Sequence, residues 1–102
     1  MEQVRLNGIC EDKLTFALSG DIDAGNADEF YGIVATAYET NPANLYFDCE
    51  KLAFIDSTTL GTFVKILKKV KAEGYGMTLV GLPPKIKKLF LICSLDKIME
   101  IA

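Results

Sequence analysis

Phe54-Ile55-Asp56-Ser57-Thr58-Thr59-Leu60-Gly61 reads as an apolar strand end, one acid, three hydroxyls and the opening of a helix. Beyond it Leu60, Phe63, Val64, Leu67 and Val70 recur at the spacing of one dry helical stripe. Lys65, Lys68, Lys69 and Lys71 take the wet side, and Gly74 and Gly76 supply a stop. Ser57 or its neighbour is predicted to cap this helix, because a hydroxyl there accepts a hydrogen bond from a free N–H. Asp56 has two roles open to it: satisfying the positive helix end, or orienting Ser57 and holding a partner. A strand that hands its chain directly to a helix is the repeating unit of α/β folds.

The same alternation continues outward. Leu14, Phe16 and Leu18 alternate with Thr15, Ala17 and Ser19, which predicts a strand covered on one face, and Val4, Leu6 and Ile9 suggest a partner strand joined through a Glu11-Asp12 turn. Gly20 is expected to end that strand, and Asn26 with Glu29 resembles a capping box for a first helix carrying Phe30, Ile33, Val34, Ala37 and Tyr38. Asp23 is a further candidate cap for that helix. Asn41-Pro42 ends it, and Leu45, Phe47 and Cys49 mark a short strand. On the C-terminal side Met77 to Val80 reads as a buried strand, and Pro83-Pro84 opens a helix with Ile86, Leu89, Phe90 and Cys93 on one face. A last strand runs from Ile98 to Ile101. The pattern predicts one α/β sandwich domain over residues 1–102, a mixed sheet of four to five strands with three helices packed mainly on one face.

Composition removes whole classes of function. The chain of 102 residues, half of them hydrophobic, suffices for one core. A formal charge of −3 argues against general affinity for nucleic acid, and the lysines at 85, 87 and 88 read, like those of the second helix, as a solvated face. With no histidine, a Ser-His-Asp triad and His-ligated zinc are excluded, and neither a metal nor a cofactor is expected. Cys10, Cys49 and Cys93 are odd in number and widely spaced, the pattern of reduced, buried thiols in a cytoplasmic protein. No leader or membrane-spanning run is visible, so a soluble protein of the cytoplasm is expected.

The decisive stretch resembles the phosphorylation motif of the STAS domain family, as found in bacterial anti-sigma factor antagonists, where Asp-Ser-Ser/Ala-Gly-Leu-Gly opens the second helix. Asp56, Ser57, Leu60 and Gly61 match it. Gly20-Asp21-Ile22-Asp23 is similar to the family segment ahead of the first helix, and Pro84 to Phe90 with Leu95-Asp96-Lys97-Ile98 gives a third likeness. Two departures are visible: Thr59 stands where the family has Gly, which places a β-branched side chain near Ser57 and would alter kinase access, and the sequence stops at Ala102, where many members carry another helix.

The resemblance implies a partner-switching module and not an enzyme. Ser57 would be the phosphorylated residue, with Thr58 ranked second because the motif puts the phosphate directly after the Asp. An anti-sigma factor that is also a serine kinase would dock on Asp21, Asp23, Asp56, Ser57, Thr58, Thr59 and Gly61, and a serine phosphatase would reverse the modification. A monomer or a weak homodimer is expected, self-association being one remedy for apolar sheet surface left open by a missing terminal helix. Three alternatives stay open: an unphosphorylated STAS subunit of a transporter or larger signalling complex, an anion- or nucleotide-binding regulator using the helix N-terminus, and a serine hydrolase with a Lys or Asp base.

Overall fold

Two acidic residues, Glu11 and Asp12, take positive φ angles of 53° and 64° and turn the chain back on itself. Two consecutive left-handed residues are the signature of the tight hairpin turn that matches strand twist. It joins β1 (Val4–Cys10) to β2 (Lys13–Ile22), and the two strands pair antiparallel. The computed structural model describes all residues 1–102. After β2 come α1 (Ala27–Thr40), β3 (Asn44–Ile55), α2 (Ser57–Lys71), β4 (Met77–Val80), α3 (Pro84–Ile92), a 3-10 turn at Leu95–Lys97 and β5 (Glu100–Ile101). The sheet order is β1-β2-β3-β4-β5, and every pair after the first is parallel. The expected mixed sheet with three helices is therefore what the chain builds.

Phenyl rings join α1 and α2 to one face of the sheet and α3 to α2. Phe16 of β2 stacks on Phe47 of β3 with centroids 5.2 Å apart. Phe30 of α1 and Phe63 of α2 meet Phe47 edge-on, and Phe90 of α3 meets Phe63 at 5.4 Å. These five rings are fully buried, and edge-to-face pairs of this kind add ~0.5–1.5 kcal/mol each beyond area burial. At the far end of the helices the buried Tyr38 donates a 2.6 Å hydrogen bond to Glu73, tying α1 to the segment after α2. Burial and that carboxylate push its phenol up to about 12.

Several elements differ from the sequence reading, each for a local reason. Leu45, Phe47 and Cys49 keep the period of two, but the next buried residues of β3 are Leu52 and Ile55, spaced by three. Two register shifts against β2 account for this: one strand of twelve residues looks like a short strand followed by an unrelated apolar pair. Gly20 does not end β2. It sits inside the strand at φ +66°, a conformation few other residues adopt without strain, and the strand continues to the buried Ile22.

The expected capping box at Asn26 is not made. Asn26 turns its side chain backward, accepting from the Asp23 N–H at 2.8 Å and donating to the Asp21 carbonyl at 3.0 Å. Glu29 instead lies 4.0 Å from the amino group of Met1. On α3 only Ile86 and Phe90, four residues apart, are buried; Leu89 is exposed beside them, and Cys93 lies past the helix end at Ile92 and is exposed as well. Only Cys49 is a buried thiol, which desolvation and then Asp48 push up to about 12; Cys10 is exposed as well. The last strand is shorter than expected, since Leu95–Lys97 forms the 3-10 turn first.

Candidate functional site

Because β2, β3 and β4 run parallel, the loop after β2 and the start of α2 lie at the same end of the sheet. One carboxylate joins them. Asp56 is the N-cap of α2, with extended backbone, and its Oδ1 accepts from the Thr59 N–H at 3.0 Å. Its Oδ2 accepts from the Ala24 N–H at 2.9 Å, in the loop between β2 and α1. Of the two roles open to Asp56, the structure shows the first: both oxygens are engaged with backbone donors, and Ser57 follows as the first helical residue and not the cap. The Thr59 N–H, followed by that of Ala24, holds this carboxyl below the usual carboxylate range.

Thr59 supplies the second tie. Its side chain is fully buried, and its hydroxyl donates a 2.6 Å hydrogen bond to the Ile22 carbonyl at the end of β2. Glycine at this position could not make that bond, and a buried carbonyl left unpaired costs ~1–3 kcal/mol. The side chain therefore points away from any partner, which corrects the expectation that Thr59 belongs to a contact surface and that its β-branched side chain crowds Ser57. Sequence reasoning weighed its bulk and missed its hydroxyl.

The loop is closed by its own bonds. Asp23 Oδ1 accepts from the Gly25 N–H at 2.9 Å, and the Asp23 carbonyl accepts from the N–H groups of Asn26 and Ala27. The carboxylate of Asp23 thus shapes the turn ahead of α1 and does not cap the helix itself, whereas Asp21 leaves its carboxylate exposed.

On this fixed platform Ser57 and Thr58 occupy the first two helical positions, both exposed, and neither hydroxyl is hydrogen-bonded within the protein. Thr58 contributes only its carbonyl, which accepts from the Thr62 hydroxyl. Gly61 lies one turn beyond Ser57 on the same exposed face, and a Cβ built there meets no atom within 4 Å. The structure so brings together Asp21, Asp23, Asp56, Ser57, Thr58 and Gly61 at one end of the sheet. What they share is one end of the sheet, where three carboxylates and a free hydroxyl at a helix N-terminus lie. No group of His, Cys, Asp and Glu side chains is placed to hold a metal ion, and no helix is long and apolar enough to cross a membrane.

The depressed Asp56 carboxyl fixes a sign for pH dependence. Its stabilisation is present above the ordinary value of 3.8 and is lost as pH falls through the lowered folded-state value. Asp56→Ala should lower the melting temperature by about 5 °C at neutral pH, and the gap to wild type should close as the buffer is taken below about pH 4. A gap that stays constant across that range would show that the charge of Asp56 is not what holds the helix end.

The STAS domain profile matches residues 3–102. The anti-sigma-B factor antagonist of Listeria monocytogenes is 29% identical over 90 residues, 88% of this chain and 79% of the relative. Among solved structures, an anti-sigma factor antagonist from Mycobacterium paratuberculosis superposes with a TM-score of 0.84 at 18% identity, covering 96% of this chain and 82% of that one. The Bacillus cell fate determinant SpoIIAA in its phosphorylated form superposes with a TM-score of 0.76 at 20% identity, over 97% of this chain and 90% of that one. With a profile that spans residues 3–102, nearly the whole of it, the chain belongs to the STAS domain family.

Proposed function

We propose that this protein is an anti-sigma factor antagonist that docks on an anti-sigma factor through the start of α2 and is released when Ser57 is phosphorylated. The observation that carries the reading is the state of Ser57. Its hydroxyl is exposed, free of internal hydrogen bonds and mounted on a helix end whose Thr59 N–H is capped by Asp56. Support also comes from the relatives, which are anti-sigma-B factor antagonists, and from the SpoIIAA neighbour, whose phosphorylated form has the same fold.

The chemistry assigned to the partner is phosphoryl transfer from ATP. The Ser57 oxygen forms a bond to the γ-phosphorus, the bond to ADP breaks, and the hydroxyl proton passes to a base on the kinase. A serine phosphatase hydrolyses the phosphoserine and restores the hydroxyl. Within this domain the added charge of about −1.5 to −2 sits at a helix N-terminus, where it is favourable by ~0.3–1 kcal/mol. The fold therefore survives modification.

Docking does not survive it. A kinase must hold the Ser57 hydroxyl against the γ-phosphate of its nucleotide, so a phosphate already on Ser57 meets that triphosphate with like charge and loses its hydration. A penalty of only ~2.8 kcal/mol weakens binding a hundredfold. Asp21 and Asp23 stand at the same end and extend the contact.

In a titration of the cognate anti-sigma factor, unmodified protein and Ser57→Ala should bind alike, while phosphorylated protein and Ser57→Asp should bind about a hundredfold more weakly. Equal affinity for the phosphorylated and unmodified forms would sink the mechanism. Gly61 gives a separate handle. Alanine fits its site and should stabilise the free protein by ~0.5–1 kcal/mol, yet its methyl group would stand on the docking face. Gly61→Ala should thus raise the denaturation midpoint and lower the affinity together, and unchanged affinity would place Gly61 outside the interface.

A further inference from the structure

The chain has six phenylalanines, and Phe16, Phe30, Phe47, Phe63 and Phe90 are each 0% exposed. Phe54 is 51% exposed. It is the only phenyl ring outside the stack, and it sits three residues before Ser57. Its direction follows from register: Phe54 pairs with Asp21 across the parallel β2–β3 ladder, and the next pair, Ile22 with Ile55, is buried against the helices. Residues at matched register share a face, and successive residues alternate. Asp21 and Phe54 therefore project together, away from the helix layer, at the end of the sheet where Ser57 stands.

We infer that Phe54 is the aromatic anchor of the docking surface and that Asp21 is its charged neighbour, an inference that rests on the reading of Ser57 as the docking centre. The occupant it fits is the anti-sigma factor kinase, presenting an apolar pocket to the phenyl ring and an arginine or lysine to Asp21. A large aromatic ring beside a charge is the composition of an interface hot spot. The carboxylates of Asp21 and Asp23 disfavour an anionic surface, whether nucleic acid or acidic lipid, at this end. The phenyl ring plays no part in transfer, so it acts on association and not on chemistry. Ser57 is thereby delivered to the kinase by a ring that is unmodified in either state, and the phosphate alone decides whether the complex persists.

The test uses the full chain and each anti-sigma factor kinase encoded by the source organism, purified separately. Phe54→Ala should weaken binding by about 10- to 100-fold and raise KM for Ser57 phosphorylation with kcat unchanged. Its melting temperature should stay within about 4 °C of wild type, because half of the residue is already exposed in the free protein. Asp21→Asn should flatten the salt dependence of binding. Wild-type affinity in Phe54→Ala would overturn the anchor while leaving the Ser57 reading intact. Failure of every kinase to bind the wild-type protein would overturn both. A wild-type dimer that Phe54→Ala abolishes, with kinase affinity untouched, would reassign the ring to self-association and overturn the proposal.

Discussion

The site depends on one carboxylate shared between two backbone segments. Asp56 takes the Thr59 N–H with one oxygen and the Ala24 N–H with the other, so the end of a helix and the mouth of a loop are held at a fixed separation. Thr59 adds a buried hydrogen bond from the same helix turn to Ile22. Without these ties the Thr59 N–H and the buried Ile22 carbonyl would each lose a partner. Because Asp56 caps the helix, Ser57 is left with nothing internal to do. A free hydroxyl on a rigid mount is what a modification switch requires.

Behind that mount lies the phenyl stack. Phe30, Phe47 and Phe63 lock α1 and α2 onto the sheet, and a charge added at the exposed first residue of α2 touches none of them. Local stabilisation of less than about 1 kcal/mol at a helix end is small beside the burial of five rings. The same charge in an interface is costly because water must leave it. The asymmetry between these two settings separates a switch of partners from a switch of fold, and under the proposed function it would let a stiff platform regulate.

The sequence carried the parts of this structure that repeat regularly and hid those that do not. The alternation of Leu14, Phe16 and Leu18 and, in α2, Phe63, Leu67 and Val70 match the buried faces they suggested, while Leu60 and Val64 are only partly covered and Ile66 is buried instead. The strand β3 was obscured where its inward residues change from a spacing of two to a spacing of three. Asp56 and Ser57 were legible as a junction, but which of them caps was not, since both side chains suit the role. Thr59 carries no periodic signal, and its inward bond to Ile22 depends on a strand more than thirty residues earlier in the chain. Phe54 was hidden for the opposite reason. As an apolar residue at a strand end it reads as core, and only its register with Asp21 shows that it faces outward.

If the platform is rigid and only the surface charge changes, the amide spectrum of the domain should show it. Backbone chemical shifts of stoichiometrically phosphorylated protein, compared with those of the unmodified form, should move for residues 56–61 and for the loop at 23–26, and should stay in place for the core strands and for α1 beyond its first turn. Shifts that spread through β2, β3 and the phenyl stack would mean that modification reshapes the fold, and would contradict the account.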